Sequence, residues 1–270
     1  MDIQALKATC RQVRRDVITM CAAAGSGHPG GSLSCTEALV ALYFDVMKVD
    51  PKNPKDPGRD RFVLSKGHAA PALYGTLMAK GFVDHDEIKG FRQLHSVLQG
   101  HPDAKKCPGV DASTGSLGQG ISIATGMALG AKHTGSPCHV YTIVGDGECQ
   151  EGLVWEASMA AAHYHLDNLT VIFDNNGLQI DGPNEKVMSL GDIGAKFKAF
   201  GYDVIEVADG NDMQQVLDAL HAPACPGKPR LIWLHTVKGK GVSFMENQVG
   251  WHGKAPNAEQ CAEALKELEG

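Results

Sequence analysis

Two apolar runs near the middle of the chain, HVYTIV (139–144) and LTVIFD (169–174), each break off into a polar cluster carrying glycine, GDG at 145–147 and NNG at 175–177. Runs this short, rich in β-branched residues and closed by turn chemistry, read as buried strands. Between them lies LVWEASMAAAHYH (153–165), a helical pattern. Strand, helix and strand at this spacing call for a crossover connection, which makes the two strands parallel and brings both polar clusters to one edge of a sheet. The chain is thereby confined to α/β folds, where ligands bind at the carboxyl ends of strands.

The alternation continues on both sides. Helical patterns cover 4–24, 34–47, 70–81, 117–133, 153–165, 192–200 and 213–222, and strand patterns cover 61–65, 139–145, 169–175, 202–208 and 230–236. The expected architecture is α/β, a mainly parallel sheet with helices on both faces. Two stretches, 95–116 and 237–257, have little periodicity but many Gly, Pro and His residues. Unpatterned segments of that length inside a compact domain are usually functional. Neither a repeat nor a linker divides the 270 residues, so one domain over 1–270 is expected.

Charge and cysteine usage narrow the partners. With 25 basic and 31 acidic residues the formal charge is −6, and no Lys/Arg run is present to track a phosphate backbone, so nucleic acid is not an expected partner. No apolar stretch approaches the ~20 residues that span a bilayer, and the start MDIQALKATCRQVRR lacks the apolar core of a signal peptide, which points away from membranes and toward the cytoplasm. Eight cysteines without a C-x-x-C pair read as reduced, structural thiols. Cys149, inside GDGECQEG, is the one expected to be partly exposed.

Asp146 and Asn176 stand 30 positions apart at the ends of two neighbouring strands. A carboxylate, an amide oxygen and a backbone carbonyl from the Asn-Gly-Leu turn make half of an octahedral shell, which Mg²⁺ completes with phosphate oxygens and water. Taken singly, each cluster is also a tight turn. Gly115-Ser116-Leu117-Gly118-Gln119-Gly120 opens a helix, whose first N–H groups favour an anion. Its spacing is not G-x-G-x-x-G and no clear strand precedes it, so a nicotinamide site is disfavoured, and glycines there also serve close helix packing. His28, His68, His101 and His252 all adjoin glycines in loops, where imidazole can donate to phosphate or hydroxyl groups and shuttle protons. Their spacing is not that of zinc ligands.

Together SGHPGG (26–31), LSKGHAAPALY (64–74), GHPD (100–103), STGSLGQG (113–120), GDGECQEG (145–152), IDG (180–182) and WHGK (251–254) resemble the amino-terminal domain of transketolase, which binds thiamine diphosphate. The resemblance covers nearly the whole chain. It implies that Asp146, Asn176 and the Leu178 carbonyl hold Mg²⁺, with Ca²⁺ or Mn²⁺ as replacements. The cofactor contacts it implies are His68, Gly115, Ser116, Leu117, Gly147, Asn176, Leu178 and His252. His28, His101 and His252 become the catalytic, sugar-facing residues, and Glu151 falls at a dimer interface where paired sites communicate. Ser116 departs from the proline of many relatives, and Lys66 from Asn or Ala.

The pyrimidine-binding and C-terminal domains of a full transketolase are absent from these 270 residues. The resemblance therefore implies one subunit of a split transketolase, paired with a separate C-terminal subunit in an α₂β₂ heterotetramer. Its implied reaction moves a two-carbon ketol unit from a phosphorylated ketose to an aldose, in carbohydrate metabolism of the pentose phosphate kind. Rival readings are the alpha chain of another thiamine diphosphate enzyme, of the 2-oxo-acid dehydrogenase or deoxyxylulose-phosphate synthase type, or a non-catalytic regulatory paralogue.

Overall fold

The computed structural model describes residues 2–269. The first part of the chain is helical: α1 (Ile3–Ala24), α2 (Pro29–Ser34) and α3 (Thr36–Ala41) precede β1 (Arg61–Leu64), α4 (Ala70–Lys80) and α5 (Gln119–Thr134). Then come β2 (Val140–Gly145), α6 (Gly152–His163), β3 (Leu169–Asn175), the two-residue strands β4 (Leu178–Gln179) and β5 (Gly182–Pro183), and a single turn, α7 (Asn184–Val187). The chain closes with α8 (Ile193–Phe200), β6 (Asp203–Val207), α9 (Met213–His221), β7 (Arg230–His235) and α10 (Ala258–Glu267).

Five strands form one sheet in the order β1-β2-β3-β7-β6, and every pairing in it is parallel. Both faces are covered, as a parallel sheet requires. Phe62, Leu64, Tyr141, Ile143, Ile172, Ile232 and Leu234 pack under α1, α3, α4 and α9. Their neighbours Val63, Val140, Val144, Val171, Phe173 and Leu231 face α5, α6 and α8. This alternation places two cores on one sheet, and each fully buried Val, Ile, Leu or Phe contributes ~1.5–3 kcal/mol.

The strand patterns match the observed strands to within a residue or two. The helix expected over 34–47 does not form as one piece. Cys35 has φ −97° and ψ 12°, which breaks the chain into α2 and α3, and a π-helical turn over Leu42–Val46 ends it. The polar side chains explain the break. Ser32 Oγ donates to the His28 carbonyl at 2.7 Å, while Ser34 Oγ reaches both the Gly31 carbonyl at 3.1 Å and, outside the helix, Asp174 at 2.7 Å. The stretch 95–116 holds neither helix nor strand, as its composition suggested. Cys149 is 0% exposed, contrary to expectation, because the turn after β2 folds inward under α6.

Candidate functional site

β2 and β3 lie side by side with Gly145 opposite Asp174, so the two polar clusters emerge together. Asp146, 3% exposed, bridges them: its carboxylate accepts from Gly147 N–H at 2.9 Å and from Gly177 N–H at 2.5 Å. Asn176 Oδ1 accepts from Leu178 N–H at 3.2 Å, and the Leu178 carbonyl accepts from Lys238 Nζ at 3.1 Å. Burial, reinforced by the nearby charge of Asp174, raises the Asp146 carboxyl to about 6. A buried carboxylate whose ionised form is disfavoured until a cation arrives, beside an amide and a carbonyl, is a donor set that suits a hard divalent ion. Among the described residues no group of three or more His, Cys, Asp or Glu is placed to hold a metal. The protein side is thus a partial shell, which phosphate and water would complete.

Gly147 serves this arrangement through space. Neither Gly145 nor Gly147 has a positive φ, so the sharp turn expected of them is not the reason for glycine. A Cβ on Gly147 would lie 3.1 Å from Cβ of Gln179, closing the approach between the loop after β2 and the β4–β5 hairpin.

Two buried cations that sequence patterns left unassigned sit beneath these oxygens. Lys66, 1% exposed, forms an ion pair with Asp174 and donates to the Gly31 carbonyl at 2.7 Å. Burial alone would push the lysine down and the aspartate up, but their attraction outweighs it, so Lys66 is raised and Asp174 lowered. Asp174 also accepts from Thr236 Oγ1 at 2.5 Å and from Ser34 Oγ. Lys238 is brought down to about 8 by burial and then by repulsion from Lys66. Lys66, Lys238 and seven of the sequence-predicted residues (His68, Leu117, Asp146, Gly147, Asn176, Leu178 and His252) line one cavity of about 190 Å³.

The histidines gather at its mouth. Ring centroids of His28, His68 and His252 are 5.2 to 5.7 Å apart. Burial is the main cause that depresses each, to about 4 for His28, about 3 for His252 and well below the usual value for His68, so all three rings are neutral at pH 7. Lys238 Nζ lies 2.9 Å from Nδ1 of His252. An ammonium can only donate, so Nδ1 accepts and the ring proton is carried by Nε2. Among the described residues Nδ1 of His28 is buried and has no hydrogen-bond partner. His101 stands further out, exposed, with its backbone carbonyl held by Tyr74 Oη at 3.0 Å. A Cβ on Gly115 would meet its ring at 3.2 Å. Arg92 links the His28 and His101 loops, donating to Ser26 Oγ at 2.9 Å, and its charge adds to the burial that depresses both rings.

Other expected positions are less central. Gly115 and Ser116 flank the cavity without lining it, and Ser116 is exposed. Glu151 is the exposed N-cap of α6, with no side-chain hydrogen bond to that helix. The start of α5, expected as an anion site, is already occupied from within: Glu148, 2% exposed, accepts from Gly118 N–H at 2.9 Å.

A family model described as transketolase, thiamine diphosphate binding domain, matches residues 5–269. The chain is 43% identical over 269 residues to an apulose-4-phosphate transketolase subunit of Phocaeicola vulgatus, covering 99% of this chain and 95% of that one. It is 44% identical over 246 residues to a 6-deoxy-6-sulfo-D-fructose transketolase subunit of Clostridium sp., covering 91% and 89%. Its fold superimposes on the solved transketolase of Leishmania mexicana with a TM-score of 0.92 at 33% identity, over 99% of this chain and 41% of that one.

Proposed function

The chain belongs to the transketolase family, as its thiamine diphosphate-binding domain, and from that premise we propose that it is the diphosphate-holding subunit of an enzyme that transfers a two-carbon ketol unit from a ketose to an aldose. The observation that carries this reading is the Asp146 carboxylate bridging two parallel strand ends, beneath a cluster of three neutral histidines. Asp146, Asn176 and the Leu178 carbonyl would hold Mg²⁺. Lys66, Lys238, His68, Gly147 and the 115–117 turn would face the diphosphate with positive charge or N–H groups. Thiamine diphosphate, when bound, supplies the electron sink that breaking a carbon–carbon bond beside a carbonyl demands.

The chain's own residues then bind and move protons. His252 presents its Nε2–H as a donor because Lys238 occupies Nδ1. His28, neutral and packed edge-on against His252, is placed to exchange a proton with a sugar hydroxyl. His101 guards the outer side, where a ketose would enter. Neutral rings suit this role, since each keeps one donor and one acceptor.

Relatives that are themselves named as transketolase subunits support a separate partner chain carrying the pyrimidine-binding domain. They also favour transketolase over the dehydrogenase, synthase and regulatory readings. The assembly we assign is α₂β₂, with this chain self-associating around residues 148–165. Leu153 and Met159 there are 38% and 58% exposed, and Glu151 lies at the same surface. The phosphate in the name of the Phocaeicola vulgatus relative's sugar supports a sugar phosphate as substrate here, in metabolism of the pentose phosphate kind. Among the described residues no helix is long and apolar enough to cross a membrane, in keeping with a cytoplasmic site of action.

The histidines divide the labour in a way that kinetics can resolve. His28→Ala and His101→Ala are expected to lower kcat, or raise KM for the ketose, by roughly 10²-fold, with cofactor affinity changed less than about threefold. His68→Ala is expected to weaken the cofactor first. Steady-state kinetics and cofactor titration of the three variants check this, and equal loss of cofactor in all three contradicts it.

A further inference from the structure

Three separate segments must keep one geometry if the cavity is to hold a diphosphate: the end of β1 with Lys66 and His68, the 115–118 turn before α5, and the end of β2 with Asp146 and Gly147. One side chain touches all three. Oε1 of Glu148 accepts from Ser65 Oγ at 2.5 Å and from Gly118 N–H at 2.9 Å, and Oε2 accepts from Gly145 N–H at 3.0 Å. Ser65 Oγ accepts in turn from Ile121 N–H at 3.0 Å, so its single proton is directed at Glu148. Two of the N–H groups that open α5, which a helix start leaves without intrahelical partners, are therefore satisfied inside the protein. The seat is close, since a Cβ on Gly120 would lie 2.4 Å from Cα of Ser65.

We infer that Glu148 is the positioning residue of the diphosphate cradle, an internal anion that takes the helix start of α5 and so locks the 115–118 turn, Asp146 and Lys66 into one frame before any ligand arrives. The inference rests on the proposed thiamine diphosphate reading of the cavity. A carboxylate at a helix N-terminus is favoured by the helix dipole, and here it is fixed by three donors rather than by solvent. An ionised carboxylate is acceptor-only, which matches three incoming donors, whereas the amide of glutamine would turn an NH₂ group toward at least one N–H or O–H. A cradle held in place beforehand loses less freedom on binding, so Glu148 acts on affinity.

The test compares Glu148→Gln and Glu148→Ala with the unaltered full chain by two readouts, amide hydrogen exchange without ligand and, in the complex with the partner chain, calorimetric titration with Mg²⁺ and thiamine diphosphate. In Glu148→Gln, exchange at Gly118 and Ile121 is expected to quicken about tenfold or more while the rest of α5 is unchanged. The dissociation constant is expected to rise about 10- to 100-fold, the range seen when groups supporting a ligand shell are removed. With saturating cofactor and the partner chain present, kcat is expected to stay within about twofold, a split between binding and turnover that a general loss of structure would not give. Val216→Ala, in the core on α9, serves as a control for lowered stability away from the cradle. The inference is overturned if Glu148→Gln leaves exchange and affinity within about twofold of the unaltered chain, or if Val216→Ala at a matched melting loss weakens the cofactor equally. Should Glu148→Ala not fold, Ser65→Ala carries the same two readouts. If the complex of the unaltered chain with its partner has no affinity for Mg²⁺ and thiamine diphosphate, that contradicts the cavity's proposed function instead, and the exchange readout then decides the role of Glu148 by itself.

Discussion

Replacing Asp146 or Asn176 with alanine is expected to raise the dissociation constant for magnesium thiamine diphosphate by roughly a hundredfold or more, equivalent to ~2.7 kcal/mol. Each change removes one oxygen from a hard cation that takes only about six. Stability should respond differently. The Asp146 carboxyl is raised to about 6 by burial and by Asp174, so at pH 7 it is ionised in the folded chain less favourably than in the unfolded one. A group whose folded pKa is raised above the ordinary carboxylate value makes folding less favourable once it ionises, which means that removing it relieves the folded state. The loss of an acceptor for the Gly147 and Gly177 N–H groups offsets that gain. The melting temperature of Asp146→Ala without ligand is therefore expected to lie within about 3 °C of the unaltered chain. Calorimetric titration and thermal unfolding of the same samples check both halves, and unchanged affinity in either variant would remove that residue from the ion site.

Lys66→Met is expected to show the opposite pattern, a large loss of stability. Asp174 is 0% exposed, and Lys66 is the cation paired with it. Without the lysine, Ser34 and Thr236 still donate to the carboxylate, yet its charge stays buried and uncompensated. Breaking a buried ion pair from one side costs about 3–5 kcal/mol. For a domain of this size that corresponds to a fall in melting temperature of roughly 6–20 °C. Lys66→Met combined with Asp174→Leu is expected to recover much of the loss, because an apolar pair of similar volume carries no desolvation penalty. Differential scanning calorimetry decides it: a fall of less than about 2 °C in the single variant would mean that water or rearrangement compensates Asp174.

The contrast between these two sites explains what sequence reading could reach. Strands were legible because their apolar runs are short and stop at GDG, NNG or His-Thr, and the crossover rule then placed Asp146 beside Asn176 without any coordinates. Histidines 28, 68 and 252 were legible as site candidates because glycines flank them. Their mutual contact was not, since it depends on three loops separated by up to 224 residues, counting from 28 to 252. Lys66, Asp174, Lys238 and Glu148 escaped for a different reason. A lone charged residue at a strand end is most often solvated, and nothing local distinguishes a buried one. Only the surplus of acceptors and donors around it does, and those come from Ser34, Thr236, Gly31 and Ser65 on distant segments. The break between α2 and α3 was missed on the same ground: the shorter bond of Ser34 Oγ goes to a partner 140 residues away.

Ketol transfer by the purified chain, measured alone and after mixing with a C-terminal transketolase subunit in the presence of Mg²⁺ and thiamine diphosphate, tests the proposed function most directly. Activity is expected only in the mixture, in the fraction that light scattering sizes as α₂β₂, and it is expected to vanish when Asp146→Ala replaces the unaltered chain. Ketol transfer by the chain without any partner, or a stable mixed complex that binds the cofactor and transfers nothing, would contradict it.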